Sequence, residues 1–292
     1  MPDEILYSVR GPKSWTTMTS QELAEKLAET NVCLVPVGAI EQHAGHLPLG
    51  QDNFQVEEIV RRAILKLEAG CIKAIFGPTI PYGPVPNLRF PGSINIQPST
   101  LAILTKEVCF NLYRDGIKNI ALVMGHDMSL GALMVAAREL ANETDDDLNV
   151  VVLNWLPLVI NLLPEVREKI PMHVFDNLPR NAQGEALTNA LEGHGGAGET
   201  GRMLWQHPEL VVKKRIRDYA LEVPTPPAPY ITPIFCGGAV YTPRKTTNHD
   251  PKFKGIFGFP SVATAEIGDG SYDAIADWVA TAVKSLCYRS EA

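Results

Sequence analysis

The sequence is poor in the features that mark several large protein classes, and each shortage removes one. No apolar run in its 292 residues reaches the ~18 that a spanning helix needs, so no membrane partner is expected. The opening stretch, residues 1–15, carries no apolar core of the kind a secretory signal requires, and a cytoplasmic protein is expected. No basic tract suggests nucleic acid, and the formal charge of -7 is spread along the chain and not gathered in tails. The five cysteines (Cys33, Cys71, Cys109, Cys236, Cys287) are odd in number, far apart and free of any CxxC pair. Neither a disulfide framework nor a thiolate zinc site is indicated, and core or near-surface thiols remain.

What is present is a globular composition, 45% hydrophobic and 20% charged, enough to bury a sizeable core in one large α/β domain or two ordinary ones. Thr19 and Glu22 have capping-box spacing, with Met18 and Leu23 as the matching staple, so a helix is expected to run to about Ala28. The apolar run Val32 to Val37 reads as a strand buried on both faces. From Phe54, the apolar residues Val56, Ile59, Val60, Ala63, Ile64 and Leu67 recur at helical spacing. The pattern then repeats: an apolar run at 72–80, a helix from about Thr100 to Asp115 stopped by Gly116, a strand at Ile120 to Met124, a helix after Ser129 and a strand at Val150 to Trp155. Such alternation predicts an α/β fold with a mostly parallel sheet flanked by helices. Residues 157–189 are less regular and read as a cap or insertion. The Pro-rich segment 224–233 reads as extended chain crossing the surface or reaching a neighbouring subunit, and a final helix is expected from Tyr272 to about Leu286.

Polar residues gather where strands end. Glu41, His43, His46 and Asp52 fall within twelve residues, just past the first strand, and open parallel sheets place their ligands at that edge. Nitrogen and carboxylate donors suit Zn, Mn or Fe, and extended chain turns Glu41 and His43 to one side. Each also has a plain reading: Asp52 precedes a predicted helix and can cap it, and a lone Glu or His is common in a solvated loop. Met124-Gly125-His126-Asp127 brings a second His to the same edge, although Asp127 at a helix start needs no catalytic purpose. A third cluster, Glu192 to Thr200, sets His194 and Glu199 in a glycine-rich loop. It lacks the GxxxxGK[ST] pattern of a phosphate cradle and fits proton transfer better. His173, His207 and His249 sit in polar or Pro-flanked surroundings and read as surface side chains. Trp155 reads as core, and Arg89 as a surface residue or an anchor for an anionic or polyhydroxylated substrate.

These motifs resemble the creatininase family, the creatinine amidohydrolases, over nearly all of Thr19 to Leu286. Residues 35–52, VPVGAIEQHAGHLPLGQD, are similar to the family's PxGxxEQHGxHLPLxxD signature, and Phe90-Pro91-Gly92-Ser93, Gly125-His126, His194 to Thr200 and Gly258 to Gly268 resemble further blocks in the same order. The resemblance implies a single three-layer creatininase-like domain over 1–292 with a binuclear centre. In it Glu41, His43 and His126 are terminal ligands, Asp52 is the bridge, His194 shuttles protons, and Glu199 binds metal or acts as a base. It further implies one or two divalent ions, Zn2+ first with Mn2+ or Fe2+ as alternatives, a small-molecule substrate, and a homo-oligomer, often a hexamer. Creatinine-hydrolysing members carry a Glu ligand where this chain has Met128, and an aromatic residue where it has Ala190; the stretch before Phe90 is shorter and lacks its common His. A thioether is a poor ligand for a hard divalent ion, so Glu199 is expected to complete the second ion's shell unless that ion binds weakly or not at all. Creatinine itself is not the expected substrate. Carbon–nitrogen cleavage in a small cyclic amide or formamide is the first expectation. Ring-opening carbon–carbon hydrolysis of a cyclic diketone such as 3-dehydro-scyllo-inosose is the alternative. A non-catalytic module is opposed by the cost of burying these charges without a cation.

Overall fold

A computed structural model describes residues 11–85, 90–180, 184, 192–219 and 255–289. Among these residues the sheet has four parallel strands in the order β2-β1-β3-β4, formed by β1 (Val32–Val37), β2 (Ile75–Phe76), β3 (Asn119–Met124) and β4 (Asn149–Leu153). The chain leaves β1 for β2 on one side, then returns past β1 to lay β3 on the other. The strand order therefore reverses between β1 and β3, and a crevice opens beyond their carboxyl ends.

Alternation of side chains across the strands makes two cores. Val32, Leu34, Ala121, Val123 and Leu153 face a layer built by α2 (Gln51–Ala69) and the closing helix, while Cys33, Val35, Val37, Ile120, Leu122 and Met124 face α3 (Pro98–Arg114) and α4 (Leu130–Glu143). Helix α1 (Ser20–Leu27) is capped as expected: Thr19 Oγ1 accepts from the Glu22 amide at 3.3 Å, and Glu22 accepts from the Thr19 amide at 2.8 Å. Pro36 lies in β1 without disrupting it. Its carbonyl faces Ile80, so its missing N–H falls on the side where β2 has already ended.

Four boundaries differ from the sequence reading. The apolar run at 72–80 yields only a two-residue strand, because Gly77 and Pro78 end it. Helix α2 starts at Gln51 and not near Phe54, so Asp52 lies inside its first turn and caps nothing; the cap position is Gly50. The last helix begins at Ala265, seven residues before Tyr272. The glycines that make its start look like loop serve packing instead, since a Cβ on Gly268 would lie 2.1 Å from the Gly201 carbonyl oxygen. Past β4 come α5 (Leu156–Ile160), α6 (Pro164–Arg167) and α7 (Met172–Asp176). Their Leu158, Val166 and Val174 are buried in the first core, as is Trp155, which follows β4 and does not belong to it. Helix α8 (Ala197–Gln206) and α9 (Ala265–Arg289) pack against each other and against α2. Among the described residues, no helix is long and apolar enough to cross a membrane. Cys33 and Cys109 are buried and Cys71 is exposed; Cys236, Ala190, Arg89, His249 and the 224–233 segment lie outside the described residues.

Candidate metal centre

Two strand ends and two helix starts supply the site. The loop after β1 delivers Glu41 and His43, the first turn of α2 delivers Asp52, the end of β3 delivers His126, and the first turn of α8 delivers Glu199. Gly125 is what lets α2 come so close to β3: a Cβ there would lie 2.6 Å from the Asp52 carbonyl oxygen. The five side chains are buried together.

Asp52 stands between two pairs. Its Oδ2 lies 3.3 Å from His126 Nδ1, which is also 3.4 Å from Glu41 Oε2. Its Oδ1 lies 3.4 Å from His43 Nε2, which is also 3.5 Å from Glu199 Oε2. These separations exceed ordinary charge-assisted hydrogen bonds, and Asp52 Oδ2 is buried without a hydrogen-bond partner among the described residues. The other nitrogens are already engaged: His43 Nδ1 lies 3.0 Å from the Glu41 carbonyl oxygen, and His126 Nε2 lies 2.8 Å from the Pro84 carbonyl oxygen. Each imidazole is thus held by one nitrogen and presents the other to the carboxylates. Glu41, Asp52 and His126 form one group whose donor atoms lie within 4.8 Å of one another, and His43, Asp52 and Glu199 form a second. An all-nitrogen-and-oxygen donor set with an orphaned buried carboxylate oxygen fits divalent Zn, Mn or Fe.

His194 forms a third such group with Glu41 and His43. Its ring stacks on His43 with centroids 4.4 Å apart, and its Nδ1 is 3.8 Å from Glu41 Oε2. Nε2 lies 2.7 Å from the Gln42 carbonyl oxygen, and the Gln42 side-chain amide reaches the same nitrogen at 3.0 Å.

Electrostatics reflect crowding in a dry site. Burial pushes the carboxyls of Glu41 and Glu199 up to about 7, against the pull of the neighbouring imidazoles. For Asp52 burial is overridden by His43 and His126, which hold it below the usual carboxylate range. Burial alone would lower His43 and His126, yet the surrounding carboxylates raise both to about 10. Burial and the charge of His43 hold His194 well below its ordinary value.

Other residues singled out in the sequence go elsewhere. His46 is buried but turns to Thr200, with Nε2 2.9 Å from its Oγ1. Asp127 stays at the margin, 4.0 Å from His126 Nδ1, and Met128 is half-buried. His173 is exposed, and His207 lies beside Glu209 and Phe54. Three contributors escaped the sequence reading: Gln42, Gln55 and Arg202. The last two form a buried polar chain running from Asp52 to Glu192. One available signal was that Asp52 and Gln55 continue the apolar stripe of α2 back past Ile59.

The comparisons with known proteins agree with this architecture. The Creatininase family model, described as Creatinine amidohydrolase, matches residues 16–283. A creatinine amidohydrolase of Pseudomonas putida is 28% identical over 64% of this chain and 69% of its own length. A 3-dehydro-scyllo-inosose hydrolase of Thermotoga maritima is 26% identical over 48% of this chain, which spans 43% of that protein. A solved structure described as creatininase Mn superposes with a TM-score of 0.68 at 23% identity, over 94% of this chain and 98% of that one. With the match running from the first helix to the last, the chain belongs to the Creatininase family of hydrolases.

Proposed function

We propose that this chain is a metal-dependent hydrolase that cleaves the C–N bond of a small cyclic amide with water. The observation that carries the reading is the two-sided placement of Asp52, whose Oδ1 and Oδ2 face different histidines at 3.4 and 3.3 Å. Glu41 and His126 would hold one divalent cation, His43 and Glu199 a second, and Asp52 both. Glu199 then takes the place that Met128 cannot fill. Zn2+ is the first candidate, with Mn2+ or Fe2+ as alternatives; the similar solved structure is described with Mn. Such ions lower the pKa of bound water from 15.7 to about 7 and polarise a substrate carbonyl.

His194 is the proton carrier in this reading. With Nε2–H donating to the Gln42 carbonyl oxygen at 2.7 Å, the lone pair is left on Nδ1, on the side of Glu41. Nδ1 takes a proton from the attacking water and gives it to the leaving nitrogen, a service worth about 10² to 10⁴ in rate. Glu199 serves as a ligand first and a base second, because its Oε2 also accepts from the Gly195 amide at 2.6 Å and is tied in place.

A second reading keeps the same residues and changes the bond: ring-opening C–C hydrolysis of a cyclic diketone. The name of the Thermotoga relative and the absence of an aromatic residue at Ala190 favour it. Mass spectrometry of products from cyclic amides, formamides and keto-inositols, with Zn2+, Mn2+ or Fe2+ supplied, tests both. Turnover of amides and not ketones is expected; the reverse selects the second reading. A homo-oligomer, a hexamer by family resemblance, is the assembly proposed, and light scattering on the eluted protein tests it.

A further inference from the structure

Outside the donor set, a buried polar strut runs behind Asp52. Arg202 of α8 is completely buried, and its guanidinium grips Glu192 through two N–H groups at 2.6 and 3.1 Å. Its Nε–H donates to Gln55 Oε1 at 3.0 Å, where the Gln51 side-chain amide also donates at 3.0 Å. With two N–H groups on its oxygen, the Gln55 amide cannot flip. Its nitrogen must face the other way, and it donates to the Gly125 carbonyl oxygen at 2.7 Å and to Asp52 Oδ1 at 3.3 Å. Every hydrogen-bonding atom of a fully buried side chain is thereby used. The chain Glu192–Arg202–Gln55–Asp52 crosses from the His194 loop to α2, with a branch to the end of β3.

From this we infer that Gln55 and Arg202 are positioning residues for the metal centre. Gln55 holds Asp52 so that its two oxygens stay turned to different histidines, and Arg202 fixes the polarity of Gln55 while pinning, through Glu192, the loop that carries His194. This role presupposes the metal centre proposed above. It does not require the strut to touch substrate or ion. A carboxylate free to rotate serves two cations poorly, and groups that orient a ligand from behind are typically worth about 10- to 100-fold in metal affinity.

The test is a chelator-competition titration with Zn2+ on the full chain, its Gln55→Met and its Gln55→Glu variants, alongside thermal melting of each metal-free form. Gln55→Met keeps the volume and drops all four hydrogen bonds. Gln55→Glu keeps both bonds at the Arg202 end and turns an acceptor toward Asp52 and Gly125. If Gln55 merely props Arg202, the Glu variant keeps its affinity. If it orients Asp52, both variants lose about 10- to 100-fold, and the Glu variant does so although its link to Arg202 survives. Zn2+ affinity of the folded Glu variant within about threefold of the original overturns the inference, since the lower bound expected of an orienting partner is ~10-fold. Should only Gln55→Met fail to fold, Gln55→Glu decides; should both fail, Gln55 is a structural residue first and the inference falls. An unsubstituted chain that takes up no Zn2+ removes the metal reading itself, and this inference with it.

Discussion

Helix α2 buries two carboxylates, and they are treated in opposite ways. Glu58 is gripped by N–H donors on both oxygens: Oε2 accepts from Arg61 Nε at 2.6 Å, and Oε1 accepts from Arg61 Nη2 at 2.7 Å and Arg62 Nε at 2.8 Å. Asp52, a turn and a half earlier, has histidines at 3.3 and 3.4 Å and one oxygen with no hydrogen bond. Both cost desolvation energy. Glu58 recovers it locally, from guanidiniums on its own helix, and needs nothing further. Asp52 shares its hollow with Glu41 and Glu199, and among the described residues the acids there face imidazoles at 3.3 to 3.5 Å. Burial alone does not single out a functional carboxylate; burial with long, convergent separations does.

The largest expected effect breaks the open cluster. Asp52→Asn removes charge from both groups at once, and Zn2+ affinity is expected to fall by ~100-fold or more, the order found when an ion loses an essential partner or its support. A ligand at about 1,000 times its Kd adds ~4 kcal/mol to stability, and one at about 10 times its Kd only ~1.4 kcal/mol, so the chelator-dependent drop in melting temperature is expected to be large in the unsubstituted chain and to shrink to about a third or less in Asp52→Asn. An Asp52→Asn protein that keeps the full chelator-dependent drop would show that Asp52 is not the shared ligand.

Glu58→Gln is the converse. It takes the charge away from Arg61 and from Arg62, which still has Asp269 at 2.7 Å, and about 2 kcal/mol of stability is expected to be lost, within the range for hydrogen bonds to charged groups. Zn2+ affinity should be unchanged. Urea unfolding of the metal-free chain measures the first and chelator competition the second; a loss of affinity in parallel would erase the distinction between the two carboxylates.

The open cluster also contains backbone strain that the closed one lacks. Ala44, between His43 and Gly45, has φ of 56°, where the family signature has glycine. Its amide is held by the Gly255 carbonyl oxygen at 3.0 Å and by Gln42 Oε1 at 3.0 Å, so the left-handed conformation is imposed by the loop. That conformation costs a non-glycine residue about 1–2 kcal/mol, partly offset by the entropy glycine loses on folding. Ala44→Gly is expected to stabilise the chain by about 0.5–1 kcal/mol, read as a rise in the urea midpoint with Zn2+ affinity kept. A destabilised variant would mean that the methyl group contributes packing that outweighs the strain.

How much of this was legible follows the range of each interaction. The strands β1 and β3, the Thr19 cap and the placing of Glu41, His43 and His126 at one sheet edge rest on local pattern: apolar runs of strand length, and polar residues immediately after them. The pairing of Glu41 with His126 and of His43 with Glu199 was not legible, because it depends on where α8 packs, about 150 residues along the chain. Beside its reading as a ligand, Asp52 kept a competing one as a helix cap, because Gln51, Asp52 and Asn53 offer no apolar residue to announce that α2 has already begun. Arg202 was invisible because, in sequence, a buried arginine looks like any solvated helix position, and Gln55 was marked only by its place on the apolar stripe of α2. The early start of α9 was missed for the same kind of reason, glycines that admit a neighbouring helix being indistinguishable from glycines that make a loop.

The smallest effect lies at the surface, where charge is paired but wet. Lys66 and Lys169 both reach Asp273, each at 2.6 Å, and Asp277, at 2.8 and 3.2 Å. Burial nudges Asp273 upward, but its bonds to Lys169 and Lys66 prevail and hold it below the ordinary aspartate range. A carboxylate with a depressed folded-state pKa contributes stability that is complete above its unfolded pKa, near 3.8, and fades as pH falls through the lower folded value. With a third of the side chain exposed, the contribution is that of a surface pair, about 0.2–1 kcal/mol. Asp273→Asn is therefore expected to lower the urea midpoint slightly at neutral pH, by an amount that shrinks toward zero in acid and with added salt. A deficit that grew on acidification would have the wrong sign for this pairing, and one as large as that of Glu58→Gln would show that exposure does not discount the pair.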